Sequence, residues 1–145
     1  MTKLAPQADG IPRPTVTEVS QPFWDGCARG ELLFQRCSCG RIIWIPEATC
    51  RWCDASEYTW ERGEGKGEIY SWSTAWRPVS PEFSVPYVAV IVSLDENYRI
   101  LSNLVGCDVD DARVGMRVEV MFQHYSGGIT LPLFRPASLD ASTRQ

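Results

Sequence analysis

Two closely spaced cysteine pairs constrain this chain more than any other feature of its sequence. Cys37 and Cys39 are separated by one residue and followed by Gly40, and Cys50 and Cys53 are separated by two residues. Paired cysteines at this separation are typical of tetrahedral thiolate sites, usually for zinc, in which each of two hairpin turns supplies two sulfurs. The sequence therefore predicts a zinc ribbon with these four cysteines as metal ligands.

Two alternatives to a bound metal stay open at this point. The first pair has a shorter gap than is usual, so we expect fewer backbone N–H groups to reach its sulfurs, and the thiols can instead pack in a metal-free ribbon. The cysteines can also pair as disulfides. Residues 1–7 lack the apolar segment of a secretory signal, so we expect a reducing cytoplasm, where disulfides are rare.

The composition excludes several classes of protein. The chain has 145 residues, enough for one compact domain with a small metal-stapled module, and no segment approaches a membrane span. Its formal net charge is −4 with acids and bases interspersed, whereas nucleic-acid-binding chains normally carry a basic stripe. We therefore expect neither a nucleic-acid partner nor a membrane. Because His124 is the only histidine, most serine–histidine and cysteine–histidine mechanisms are excluded unless it is the base.

The chain divides into four parts. Residues 1–17 contain three prolines and few large apolar side chains, which predicts an extended arm; a loose terminus is the preferred interpretation and a strap over a partner is the alternative. Residues 18–60 are predicted to hold a short helix and the zinc ribbon, residues 61–138 a β-barrel, and residues 139–145 a loose tail. Residues 54–68 are expected to form a polar bridge, and their glycines match no phosphate-binding loop.

The predicted helix has recognisable ends. Ser20 can cap its first turn, Pro22 is tolerated there, and Gly30 is expected to stop the helix. Phe23 and Cys27 are four residues apart and so share one apolar face. That face docks either on its own domain or on another subunit.

From residue 68 onward, apolar side chains recur with the period of β-strands. The alternation predicts five short strands, with tight turns at 95–97 and 126–128 and a longer connection before the fourth strand. His124 is in phase with the inward residues of the fourth strand and is predicted to be structural. Pro132 and Pro136 are expected to cut the last strand short. The pattern predicts a mostly β protein with an OB-type Greek-key barrel, and a β-sandwich is the alternative. The predicted faces are Tyr70, Trp72, Thr74 and Trp76 in the first strand and Val88, Val90, Val92 and Leu94 in the second.

An ordered string of short motifs runs through residues 14–138. It consists of Phe23-Trp24, Gly30, Leu32, Gln35-Arg36-Cys37, Cys39-Gly40, Pro46, Cys50, Cys53, Gly65-Lys66-Gly67, Tyr70-Ser71-Trp72, Pro86-Tyr87, Arg99-Ile100-Leu101, Asn103, Gly115, Val118-Glu119-Val120 and Phe134. In order and spacing, this string resembles the family of small acyl-CoA-associated OB-fold proteins with an N-terminal rubredoxin-like zinc ribbon, often encoded beside thiolases. The chain departs from the family pattern at the first cysteine pair, which bears on metal occupancy and not on the fold.

The resemblance implies an N-terminal helix, a zinc ribbon and an OB barrel, with Cys37, Cys39, Cys50 and Cys53 at the ligand positions. It also implies a non-catalytic partner of thiolase-like or lipid-transfer-type condensing and aldol enzymes, or of MaoC-type hydratases. Such partners help to hold acyl-CoA or bridge active sites. We therefore expect an accessory subunit within a homo- or hetero-oligomer.

Aromatic side chains on the barrel strands and an adjoining loop are candidates for contact with acyl-CoA. Their flat apolar faces suit a pantetheine arm or an acyl group, and Arg77, Lys66 or Arg51 can meet phosphates. Alternatively, half of these aromatics are barrel core and the rest cover a subunit interface. The candidate contacts are Lys66, Trp72, Trp76, Arg77, Phe83 and Tyr87.

Other functions stay open from the sequence. OB barrels with exposed aromatics bind single-stranded nucleic acid, although the acidic net charge argues against it here. Four thiolates can also hold iron in a rubredoxin-like electron carrier, although such sites normally have two-residue gaps in both pairs. A self-sufficient enzyme would depend on His124 with Cys27 or Cys107, and no motif supports it.

Overall fold

The computed structural model describes residues 2–137, in which a short helix and a three-stranded ribbon precede a closed five-stranded barrel. The predicted fold class is confirmed. The predicted tail, residues 139–145, lies outside the described residues. The elements are helix α1 (Gln21–Ala28), strands β1 (Leu33–Cys37), β2 (Ile42–Ile43), β3 (Tyr58–Arg62), β4 (Lys66–Ala75), β5 (Tyr87–Leu94) and β6 (Arg99–Leu104), a 3₁₀ turn (Val109–Asp111), and strands β7 (Arg117–Tyr125) and β8 (Ile129–Pro136).

The barrel has the strand order of an OB-fold. The closed order is β4-β5-β6-β8-β7, in which all neighbours are antiparallel except β6 and β8. The side chains of β5 alternate as predicted, so Val88, Val90, Val92 and Leu94 are buried in the barrel. Closure of this kind removes the free edges that an open sheet would expose. The OB-type barrel is thus confirmed, and the sandwich is not adopted.

A β-bulge interrupts the alternation predicted for β4. Ile69 is aligned with Val92, but the next aligned residue of β4 is Ser71, so Tyr70 has no partner in the register. An extra residue of this kind shifts the phase of the side chains that follow it. The prediction that Tyr70 and Trp72 are consecutive members of one face is therefore wrong.

His124 has the phase predicted for it but lies at an exposed end of the barrel. Val118 and Val120, in the same phase of β7, pack into the barrel core. The Nδ1 atom of His124 lies 2.6 Å from the hydroxyl oxygen of Thr130 on β8, so the histidine has a partner across the hairpin. Tyr125 belongs to the opposite, outer phase and is buried beneath the N-terminal arm, where its hydroxyl donates to the carbonyl of Gln7.

Strand β8 continues through Pro132, so the prediction of an early end is wrong. The side of β8 that faces β6 is aligned with it at one position only, where Phe134 meets Leu104. Pro132 therefore does not interrupt a continuous ladder on that side by lacking an N–H group. Its carbonyl oxygen accepts a hydrogen bond of 2.8 Å from the hydroxyl of Ser102.

The ribbon is a three-stranded sheet with β1 in the centre. Strand β2 pairs with two residues of β1, whereas β3 pairs along its whole length, from Leu33 to Cys37. Because β3 lies inside residues 54–68, the prediction of a polar bridge there is wrong. Tyr58 and Trp60 give this strand a half-buried face. The charged residues beside them in the sequence made the segment look like a polar connection.

Helix α1 begins and ends close to the predicted residues and docks on its own domain. Phe23 and Cys27 are 5% and 0% exposed. Ser20 holds the N-cap position, but its hydroxyl bonds to Thr17 instead of a helix N–H group. Gly30, with a φ of 80°, allows the sharp turn after the helix.

The N-terminal arm lies against the barrel. Leu4 is 3% exposed, its N–H donates to the carbonyl of Cys107 at 2.7 Å, and its carbonyl accepts from the N–H of Gly106 at 2.9 Å. These bonds fix the start of the arm beside the segment that follows β6. The loose-terminus interpretation is wrong for residues 2–17, and a strap over a partner stays a prediction.

Gly67→Ala is expected to destabilise the chain more than Gly10→Ala. A methyl group at Gly67 would overlap the carbonyl oxygen of Ser93 on strand β5, which can yield only if the paired strands move. Overpacking of this kind costs about 1–3 kcal/mol. Gly10 has open space around it. Urea unfolding of both variants measures the difference, and equal free energies of unfolding would contradict the expectation.

Candidate functional site

The four predicted ligand cysteines meet beside the end of β1. Their sulfurs all lie within 4.8 Å of one another, with 3.4 Å between Cys37 and Cys53 and 3.9 Å between Cys39 and Cys50. Four sulfurs bound to one tetrahedral zinc at 2.3 Å are about 3.8 Å apart. The donor set and its spacing therefore fit a zinc ion. All six cysteines are free thiols, so the disulfide alternative is wrong.

The short first pair keeps a hydrogen bond of the kind that supports a thiolate. The N–H of Cys39 donates to the sulfur of Cys37 at 3.4 Å, and the N–H of Trp52 donates to the sulfur of Cys50 at the same distance. In both turns the donor comes two residues after the first cysteine. The shorter gap therefore still permits the local geometry of a metal-binding turn.

These contacts shift the thiol pKa values of the cluster. The backbone N–H of Cys39 is the main cause that lowers the pKa of Cys37 to about 6. The N–H of Ala55 acts in the same direction on Cys53, but the neighbouring sulfurs, Cys37 first, and burial outweigh it and raise the pKa of Cys53 to about 12. One thiol of the cluster thus ionises readily while another keeps its proton, which a bound metal would displace.

A groove of about 1090 Å³ lies on the outer face of the barrel, beneath the N-terminal arm. Ile91 of β5 and Leu101 of β6 are aligned across the two strands and lie on its barrel side. The arm forms a second wall, and Phe23 and Trp24 of α1 a third. Ile45, in the ribbon segment after β2, lines it as well. The groove is thus assembled from all parts of the fold.

Two apolar side chains that line the groove are exposed to an unusually large extent. Ile45 is 66% exposed and Leu101 is 72% exposed. A single exposed aliphatic side chain needs no explanation, but several around one apolar groove mark an interaction surface. The groove is therefore a candidate apolar binding site.

Polar contacts hold the arm in place over the groove. Gln7 makes two hydrogen bonds with the backbone of Ser84, at 2.8 and 2.9 Å, and the hydroxyl of Tyr125 donates to the carbonyl of Gln7 at 2.8 Å. Asp9 accepts from the N–H of Ser126 at 2.8 Å, and the bonds from Ser126 lower the pKa of Asp9. The pKa of Asp9 is thus lower in the folded chain than its ordinary value of 3.8. The stabilisation that its carboxylate contributes is fully present above pH 3.8 and is lost as the pH falls through the lower pKa of the folded chain.

The structure does not gather the six predicted acyl-CoA contacts around this groove. Phe83 lines it, with its ring centroid 6.1 Å from that of Tyr87. Trp72 in β4 and Trp76 just after it are 41% and 65% exposed, and at about 3.3 Å per residue they lie roughly 20 Å and 33 Å along the strand from Lys66. A role for the set in acyl-CoA binding stays a prediction. Its members are Lys66, Trp72, Trp76, Arg77, Phe83 and Tyr87.

Sequence reasoning missed the groove because its walls come from separate segments. Leu101 carried a usable signal, since it lies on the outward phase of β6 between Arg99 and Asn103, where a polar residue is usual. Tyr70 also lines the groove, on the outward phase that follows the buried Ile69. Neither the bulge nor the path of the arm has a local signature in the sequence.

The candidates for a self-sufficient enzyme have unsuitable surroundings. Burial raises the pKa of the Cys27 thiol to about 12, and burial also raises the pKa of Cys107. A thiol with a raised pKa is a poor nucleophile because little thiolate is present. His124 contacts Thr130 at the surface of the β7–β8 hairpin.

Two domain models match consecutive parts of the chain. The ChsH2 rubredoxin-like zinc ribbon domain matches residues 24–59, and the ChsH2 C-terminal OB-fold domain matches residues 60–123. The chain belongs to the ChsH2 family. The resemblance stated from the sequence is thereby confirmed, and the ribbon and the barrel of this chain are the two ChsH2 domains.

ChsH2-type sequences occur in larger subunits and in short proteins. A probable enoyl-CoA hydratase alpha subunit of Thermomonospora curvata is 32% identical over 127 residues, which cover 87% of this chain and 40% of that subunit. A DUF35 domain-containing scaffold protein of Methanocaldococcus jannaschii is 33% identical over 95 residues, which cover 63% of this chain and 67% of the scaffold protein. The chain thus spans about two fifths of the hydratase subunit.

A solved structure shares the whole ChsH2 architecture. A chain of the Ltp2-ChsH2(DUF35) aldolase superposes on this chain with a TM-score of 0.80 at 31% identity. The superposition covers 87% of this chain and 100% of that chain. Within residues 2–137, no helix is long and apolar enough to cross a membrane.

Proposed function

We propose that this ChsH2-family chain is an accessory subunit that binds a thiolase-like or lipid-transfer-type enzyme, or a MaoC-type hydratase, and helps it to hold acyl-CoA. The observation that carries the proposal is the superposition on the full ChsH2(DUF35) chain of an aldolase. The relative that is a hydratase alpha subunit adds support. We assign catalysis to the partner, and assembly and ligand binding in a cytoplasmic hetero-oligomer to this chain.

The groove supports the part of the proposal that concerns ligand binding. Strands β5 and β6 are the second and third strands of the barrel, and the outer face of these strands is the usual ligand surface of OB-folds. Here that face carries Ile91 and Leu101. Aliphatic side chains suit an acyl chain or a pantetheine arm, whereas single-stranded nucleic acid needs aromatic platforms in a basic channel. These aliphatic side chains, in a chain whose net charge is −4, favour acyl-CoA over nucleic acid.

We infer a structural role for the metal centre. Cys37, Cys39, Cys50 and Cys53 would hold one zinc, and four protein ligands leave no coordination position open for substrate. The metal would cross-link the two turns beside β1 and would not act on the substrate. The match to a zinc ribbon domain favours zinc over the iron of a rubredoxin-like electron carrier.

Leu101→Asp is expected to weaken the binding of acyl-CoA by the complex of this chain and its enzyme by at least tenfold. A carboxylate in the apolar groove would lose its hydration when an acyl chain or pantetheine arm fills the groove. Val114→Asp is the matched control, because Val114 is also exposed, at 68%, and does not line the groove. Both changes lie at the surface, so the free energy of unfolding should change by no more than about 0.5 kcal/mol.

Co-expression followed by size-exclusion chromatography isolates the complex, and titration of the complex with acyl-CoA measures this effect. The wild-type chain should co-elute with the enzyme and change its turnover of acyl-CoA. Separate elution, together with turnover that does not depend on this chain, would refute the proposed function.

A further inference from the structure

A second cleft, different in chemistry from the groove, lies between the ribbon and the β5–β6 hairpin. It has a volume of about 880 Å³. Its walls come from the ribbon and from residues 93–99 of the barrel. Trp44 and Arg99 line both this cleft and the apolar groove, so the two cavities adjoin. The arginines of the cleft are Arg36, Arg41, Arg51 and Arg99.

Three of these four arginines lack a carboxylate partner. Arg36 is paired with Glu61 at 3.0 Å. Among the residues that the structure describes, Arg41, Arg51 and Arg99 form no ion pair. The acidic residue on the lining is Glu96, whose carboxylate accepts the backbone N–H of Glu64 at 2.8 Å. In a chain with a net charge of −4, this concentration of uncompensated guanidinium groups marks an anion site.

Two of the unpaired guanidinium groups are held by aromatic rings. Arg41 lies over Trp52 with its guanidinium carbon 4.6 Å from the ring centroid, and Arg99 lies over Tyr70 at 3.7 Å. Stacking fixes the plane of a guanidinium group and leaves its N–H edges free for bidentate bonds to phosphate. The indole of Trp52 is 58% exposed and offers further surface for stacking of a base.

We propose that this cleft binds the phosphorylated nucleotide end of acyl-CoA through Arg41, Arg51 and Arg99, and that the pantetheine arm passes Trp44 into the apolar groove. The inference rests on the proposed function and deepens it, because it gives the ligand a position and a direction. Acyl-CoA carries its charge at one end and its apolar group at the other, which matches a charged cleft joined to an apolar groove. Lys66 and Arg77, predicted from the sequence to meet the phosphates, have no part in this site.

Isothermal titration calorimetry of the full chain tests the site with coenzyme A, adenosine 3′,5′-bisphosphate and pantetheine. Arg99→Ala and Arg51→Ala should each weaken binding of coenzyme A and of the bisphosphate by about tenfold or more, since hydrogen bonds to charged groups are among the strong ones. Binding of pantetheine should not change in Arg51→Ala. Arg77→Ala is the matched control: it also removes an arginine without an ion pair, but one outside the cleft, and should bind all three ligands as the wild type does.

Several outcomes would overturn the site. They are undetectable binding of coenzyme A by the wild-type chain, a loss of affinity in Arg77→Ala equal to that in the cleft variants, or preference for poly-glutamate over the bisphosphate. Circular dichroism and zinc content confirm that each variant is folded. A chain that binds coenzyme A through these arginines but forms no complex with an enzyme would refute the proposed function and leave the site standing. If variants without these arginines still form the complex and support turnover of acyl-CoA, the nucleotide site is refuted and the proposed function is kept.

Discussion

Cys50→Ser is expected to abolish zinc binding and to unfold the ribbon. Cys50 is 0% exposed, and its sulfur lies 3.9 Å from that of Cys39. Binding of a structural zinc contributes on the order of 10–16 kcal/mol, as much as the whole stability of a small domain. The ribbon has only a small buried cluster of its own around Cys37, Ile43 and Cys50. Apart from side chains such as Phe34 that pack into the barrel core, the ribbon therefore has little to keep it folded without the metal.

Metal analysis by mass spectrometry and amide hydrogen exchange in β1 and β3 measure this effect. Treatment of the wild-type chain with a strong chelator should increase exchange in the same strands. Cys107→Ser is the matched control, since it makes the same chemical change at a half-buried thiol outside the cluster. A Cys50→Ser chain that retains one zinc with unchanged exchange would show that the sulfurs are not a metal centre.

Phe34→Ala is expected to cost about 3–5 kcal/mol of stability, which is the usual range for a fully buried phenylalanine. Phe34 belongs to β1 of the ribbon, yet it is 1% exposed within the core cluster of the barrel, with its ring 5.2 Å from that of Tyr98. Removal of the ring leaves a cavity at the junction of ribbon and barrel. For a chain of this length, the melting temperature should fall by about 6–20 °C.

Thermal and urea unfolding measure this loss, with Phe83→Ala as the control. Phe83 loses the same atoms but is only half-buried, in the connection between β4 and β5, so its removal should cost clearly less. Losses of equal size in the two variants would mean that Phe34 does not join the two parts of the core. An unchanged melting temperature in Phe34→Ala would likewise show that Phe34 does not join the ribbon to the barrel core.

Several features of this chain are predictable because they depend on neighbours in the sequence. The paired cysteines predict a thiolate cluster, since two ligands that are two or three residues apart can bind one metal without help from the rest of the fold. The alternation of Val88, Val90, Val92 and Leu94 predicts a strand with one buried face. Such a strand belongs to a sheet that packs against a core.

Other features escaped prediction because distant residues decide them. Gln35 reads as a surface residue, but its amide is fully buried and makes two hydrogen bonds with the backbone of Glu47, at 2.8 and 2.9 Å. Strand β3 exists because β1 offers it a ladder, and its many charged residues hide that pairing. Because of a bulge against β5, Trp72 does not share the face of Tyr70. In each case the partner lies far along the chain or in another element.

The sequence by itself determined the class of the protein: a mostly β chain with a four-cysteine ribbon, an OB barrel and the family to which they belong. The ribbon and the barrel follow from local spacing and periodicity, and the family follows from the ordered motif string that resembles it. Only the tertiary structure decided where a ligand can bind. The groove and the arginine cleft exist because the arm, the helix, the ribbon and the barrel face meet, and a surface made of four separate segments has no signature in any one of them.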